Sequence, residues 1–302
     1  MTTSAPSLEQ HLRAVLEKRL GQLAEAMDHA LRAQGVEAVH DLRVASRRLR
    51  AFGVTFHELL PEKTRERLEK KLKRVTRAVG PLRDLDVQLE LVAGRVGGTS
   101  SELDRAALEH LLEHLEVRRK QGLRRAERRL GKVELDAISR QVWRASKAVD
   151  ARLGERDAEA FALSVLTGLV ADAASQAPSS GVEDPERLHL LRINVKELRY
   201  ALELFEPLLG SRFDALHARA TTLQELLGGY HDLVVLADLV GERSAKLRER
   251  KREALARGLD HAFEALVAER KALFDRFTSQ GFDAEGWRAE LQPGERSALG
   301  AD

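Results

Sequence analysis

Apolar residues recur three and four positions apart along nearly the whole chain, and that helical period resumes after every break. The pattern predicts helices over 8–33, 36–60, 62–79 and 83–96, with Ser7 as first N-cap. Pro61, Gly80-Pro81 and Gly97-Gly98 read as the stops between them. Residues 101–152 form an almost continuous helical pattern, interrupted at Gly131 and carrying Leu108, Leu111, Leu112 and Leu115 on one stripe. The second half follows the same plan, with helices over 156–177, 185–205 and 212–227. Their boundaries are Pro178-Ser179-Ser180-Gly181, Pro207 and Gly228-Gly229, and one or two long helices then finish near Thr278. Gly281, Gly286, Pro293 and Gly294 mark 279–302 as a loosely ordered tail. No strand alternation interrupts this. The chain reads as all-α, with 8–152 and 153–278 as two copies of a helical bundle.

The polar positions carry the repeat more sharply. His40, Arg43, Arg47 and Arg50 return 149 residues later as His189, Arg192, Lys196 and Arg199. Steps of three, four and three keep each set on one helix face. Leu42, Ala45, Leu49, Phe52 and Phe56 lie opposite the first row, and Leu191, Leu198, Leu202 and Phe205 opposite the second. Like charges one turn apart repel, so each row disfavours the free protein until an anion neutralises it. A solvated basic face is the plain alternative, but its duplication at one spacing favours a ligand. A second shared element, Gly80-Pro81-Leu82-Arg83-Asp84-Leu85 and Gly228-Gly229-Tyr230-His231-Asp232-Leu233, recurs at an offset of 148. Asp84 and Asp232 there are read as helix caps or as orienting partners for an arginine of the rows.

Charge changes the picture locally rather than globally. The net charge of the 302 residues is only +2. Between His40 and Arg77, however, twelve lysines and arginines face five carboxylates. Lys73 and Arg77 belong to that basic follow-on segment, whereas 216–226 offers only His217 and Arg219. The first half is therefore expected to bind more tightly. With no cysteine, disulfides, thiolate catalysis and cysteine-ligated metal sites are excluded. Apolar runs look too short for a membrane span, and a cytoplasmic protein is expected.

The segments His40-Asp41-Leu42-Arg43-Val44-Ala45-Ser46-Arg47-Arg48-Leu49-Arg50, Arg83-Asp84-Leu85-Asp86-Val87 and His189-Leu190-Leu191-Arg192-Ile193-Asn194-Val195-Lys196-Glu197-Leu198-Arg199-Tyr200 resemble the CHAD (conserved-histidine α-helical) domain. The resemblance covers about 8–278, so 1–302 is expected to be a single such domain. It implies two pseudo-symmetric four-helix bundles around a basic central channel. It further implies inorganic polyphosphate as the partner and association with polyphosphate granules. The Glu-x-Glu-x-Lys strand of the triphosphate tunnel domain, a frequent fusion partner, is not found, so its phosphatase chemistry is not implied.

A polyphosphate offers only oxygen acceptors and roughly one charge per internal phosphate, which suits arginine forks and lysine point charges. The candidate site is His40, Arg43, Arg47, Arg50, Lys73, Arg77, Arg83, His189, Arg192, Lys196 and Arg199. No cofactor or catalytic residue is expected, since a phosphohydrolase needs more converging carboxylates. A nucleic-acid backbone binder, a phosphoanhydride enzyme and a helical scaffold are the alternatives, with 13 aromatics leaving few base-stacking platforms. His110-Leu111-Leu112-Glu113-His114 matches an inverted zinc-peptidase motif, but it reads as a solvent face of its helix and no metal is expected.

Overall fold

The computed structural model describes residues 7–32, 35–178 and 181–292. Ten α-helices follow one another among them: α1 (Leu8–Arg32), α2 (Val36–Thr55), α3 (Glu62–Gly98), α4 (Glu102–Leu130), α5 (Leu135–Leu153), α6 (Ala158–Gln176), α7 (Pro185–Leu209), α8 (Phe213–Glu249), α9 (Glu253–Gln280) and α10 (Ala284–Leu291). Short 3-10 turns at His57–Leu59 and Gly210–Arg212 lead into α3 and α8. Side chains fix several starts. Ser7 and Gln10 form a reciprocal capping box at α1 (3.2 and 3.3 Å), and Asp184 caps α7 just before Pro185.

Two expected helix ends are absent. The segments predicted as 62–79 and 83–96 are one 37-residue helix, and α8 likewise runs through Gly228-Gly229. An interior proline orphans the carbonyl four residues back and costs about 3 kcal/mol when nothing compensates. Here something does. Arg129 Nη1 donates to the Arg77 carbonyl freed by Pro81, at 3.2 Å. His11 Nε2 lies 3.2 Å from the Glu203 carbonyl freed by Pro207, which lets α7 continue past the predicted end at 205 to Leu209.

The tail also departs from expectation. α9 continues to Gln280, and α10 packs on α6 with Trp287 fully buried. Arg219 clamps α10 by ion pairs to Asp283 and Glu290 (3.0 Å each) and lies over the Trp287 ring. Pro293 and Gly294 lie outside the described residues, as do Ser179 and Ser180 of the expected loop. α6 is long and apolar enough to cross a membrane by length and composition alone, contrary to the expectation that no segment is. Its Phe161, Leu166 and Val170 are buried in the protein core instead.

The buried side chains form two clusters, and each draws on both halves of the sequence. The larger unites α1, α2, α5, α6, α7 and α10 with the N-terminal halves of α3 and α8 and the C-terminal ends of α4 and α9. The smaller is built from the far ends of α3 and α8 with α4 and α9. Phe56 joins α2 to α7 and α6, its ring 5.4 Å from Phe205 and 6.0 Å from Phe161. Such aromatic pairs contribute about 0.5–1.5 kcal/mol each beyond area burial. That node fixes the crossing of α2 over α7, and with it the placement of the two basic rows.

Candidate anion-binding site

The rows meet only in their middle. Arg43 and Arg47 from α2 face His189, Arg192 and Lys196 from α7 across a cavity of about 320 Å³. α3 adds Asp84 and Gln88 to its wall, and α8 adds His231 and Asp232. Arg43 pairs with Asp84 at 3.2 Å. Arg47, Arg192 and Lys196 make no side-chain hydrogen bond or ion pair among the described residues. Arg192 Nε and His189 Nδ1 are buried without a partner, and the His189 and His231 rings lie 4.5 Å apart. A buried donor left unsatisfied costs about 1–3 kcal/mol.

The glycines expected to end helices serve a different purpose. A Cβ on Gly80 would lie 2.9 Å from Arg43 Nη1, and one on Gly228 would lie 3.8 Å from Arg192 Nε. Gly80 lets Arg43 lie close against α3, whereas a Cβ on Gly228 would meet Arg192 at ordinary contact distance. Neither Asp84 nor Asp232 caps a helix, since both sit inside one. Asp84 orients Arg43, the other role foreseen for it.

Crowding of unpaired cations depresses their basicity. Burial, followed by repulsion from Arg47 and Arg192, lowers the Lys196 pKa from 10.5 to about 7. Burial and Arg43 together lower Arg47 to about 10. His231 falls to about 4 through burial and the nearby Arg192. Burial first, then neighbouring cations, pushes down His40 and His189 as well. Desolvation raises Asp232 despite its approach to Arg192. The cavity is thus a positive site whose charge is only partly expressed until an anion enters.

The remaining predicted residues are dispersed. His40 is exposed at the α2 start, and Arg83 is the cation that acts on it most strongly. Arg83 acts electrostatically on Asp232 but does not line the cavity. Arg50 and Lys73 share Glu69 at 4.0 and 2.6 Å, and Arg50 lines a separate pocket with Arg65 and Leu68. Arg199 stacks on Tyr200 and donates to Gln224 at 3.0 Å. It also stands 3.7 Å from Glu203, which pairs with the buried Arg19 at 2.7 Å. Arg77 lines another groove, between α3 and the α4–α5 connection.

His231 and Gln88 were missed. His231 stands where the 148-residue offset puts the counterpart of Arg83, a signal already present in the repeat. His110 and His114 are half-buried against α8 rather than solvent-facing, and Arg243 Nη2 donates to His110 Nε2 at 2.8 Å. A guanidinium in that position disfavours a second cation. Among the described residues no cluster of three metal-ligating side chains forms.

The chain is similar to known proteins. The family profile of the CHAD domain matches residues 14–241. Two uncharacterised proteins, from two strains of Mycobacterium tuberculosis, are each 26% identical over 257 residues, covering 80% of this chain and 47% of their own length. The chain thus spans about half the length of these curated relatives. The crystal structure of the CHAD domain from the plant Ricinus communis matches with a TM-score of 0.66 and 22% identity, over 96% of this chain and 94% of that one. That likeness is one of fold. With the profile spanning both basic rows and both long-helix glycine elements, the chain belongs to the CHAD domain family.

Proposed function

We propose that this protein binds inorganic polyphosphate, without turning it over, in the cavity between α2 and α7. The observation that carries the reading is the convergence of Arg43 and Arg47 from one half with Arg192 and Lys196 from the other. Three of those four make no ion pair or side-chain hydrogen bond among the described residues. The ligand supplies what the site lacks: oxygen acceptors at every unit and no base to be read. Each charge-assisted hydrogen bond contributes roughly 1.5–3 kcal/mol, so a few suffice for firm retention. The cavity's two carboxylates neighbour Arg43 and Arg192, which suits positioning rather than acid–base chemistry. A location in the cytoplasm, on polyphosphate granules, belongs to the same proposal.

The test is a titration with long-chain polyphosphate, with RNA and DNA as competitors, at two salt concentrations. Polyphosphate is expected to win per mole of phosphate, with affinity falling steeply as salt rises. RNA competing equally would overturn the reading.

A further inference from the structure

Outside the cavity, a second basic groove lies between α3 and the α4–α5 connection. About 810 Å³ in volume, it is lined by Arg74, Arg77, Gly80, Asp84, Arg129 and Lys132 among others. Arg74, Arg77, Arg129 and Lys132 are all exposed. The side chains of Arg74, Arg77 and Lys132 make no hydrogen bond or ion pair among the described residues. Arg129 is held in place by the Arg77 carbonyl that Pro81 frees. The proline that failed to end α3 therefore helps to position a groove cation.

The groove and the cavity share a wall. Asp84 lines both, and Arg43 of the cavity pairs with Asp84 while its guanidinium lies against Gly80, which lines the groove. The one carboxylate at the junction is thus already neutralised by a cavity arginine. A polyanion leaving the cavity past Arg43 meets four further cations without crossing an unpaired acid.

The second half offers no such path. At the 148-residue offset Arg74, Arg77, Arg129 and Lys132 correspond to Thr222, Glu225, Phe277 and Gln280, none of them cationic, and the neighbouring Arg219 is taken by Asp283 and Glu290 at 3.0 Å each. We infer that a long polyanion held in the cavity runs out over α3 into the Arg74/Arg77/Arg129/Lys132 groove, which acts as an extended subsite for chains too long for the cavity. This rests on the polyphosphate reading of the cavity and gives it a direction. Its consequence is a dependence on chain length, since a short oligophosphate fills the cavity without reaching Lys132.

The test compares the wild-type protein with R74E/K132E, which avoids the structural Arg129. R13E/K18E, on exposed positions of α1, changes net charge by the same amount. Each is titrated with long-chain polyphosphate and with inorganic tripolyphosphate, and helical content is checked by circular dichroism. R74E/K132E is expected to lose about tenfold in long-chain affinity, about 1.4 kcal/mol. It should keep its tripolyphosphate affinity, and R13E/K18E should lose far less on either ligand. If charge reversal unfolds the protein, R74Q/K132Q should give the same pattern with a smaller loss. Unchanged long-chain affinity, equal losses on both ligands, or equal losses in both variants would overturn the extended subsite. A wild-type protein that binds neither ligand would overturn the polyphosphate reading itself, and the subsite with it.

Discussion

Replacing Lys196 by methionine should make the free protein more stable while weakening its hold on the anion. Lys196 is half-buried beside Arg47 and Arg192, and its pKa falls from 10.5 in an open chain to about 7. At 1.36 kcal/mol per pH unit, that is on the order of 5 kcal/mol against the charged form, reduced by the solvent that still reaches it. The sign follows from proton binding. Below about pH 7 the lysine is charged in both folded and unfolded chains, so the cost is fully present. Between about pH 7 and 10.5 the folded protein has released the proton and the unfolded chain has not, so stability rises with pH. Methionine keeps the apolar stem and removes the charge. K196M should therefore gain roughly 2–4 kcal/mol at pH 6, and roughly 2 kcal/mol less than that at pH 9. Urea unfolding of both proteins at the two pH values measures this. A variant less stable than wild type at pH 6, or one with equal gains at both pH values, would refute the claim that the free site is charge-frustrated.

Affinity for polyphosphate should decline as pH rises from 6 to 9. An anion favours the protonated forms of Lys196, His189 and His231, whose pKa values burial and neighbouring cations hold down; proton uptake on binding, read by calorimetry in two buffers, checks this. Gly80→Ala should push Arg43 off α3 and lower affinity severalfold, whereas Gly228→Ala, whose Cβ would only touch Arg192 at 3.8 Å, should leave affinity unchanged and stabilise its helix by up to about 1 kcal/mol. Trp287→Ala should cost about 3–5 kcal/mol by emptying the site under α10, visible in thermal melts, with little change in anion affinity.

The helices and the two rows were legible because both depend on local spacing. What was not legible depends on partners distant in sequence. Gly80-Pro81 and Pro207 look like stops until Arg129 and His11 satisfy the carbonyls they free, and those residues lie 52 and 192 positions from the accepting groups. A single tryptophan at 287 decides whether the tail docks, and composition outvoted it. Spacing alone does not say which of the eight row positions reach a common ligand, because two crossing helices face each other over only a turn or two. Arg43, Arg47, Arg192 and Lys196 fall at the crossing. Arg50 and Arg199 lie one turn beyond it, where Glu69, Gln224 and Glu203 claim them. Asp84 and Asp232 were seen, yet their role follows from helices that continue rather than start.

The central claim is that the two halves of the repeat grip one polyanion in one cavity. It is tested most directly by neutralising one unpaired arginine from each side. Polyphosphate affinity would be measured for R47Q, R192Q and the double variant, with circular dichroism beside each titration. Each single variant is predicted to remain helical and to lose about tenfold in affinity, and the double variant to lose more than either. Folded single variants that bind as tightly as the wild-type protein would contradict the account.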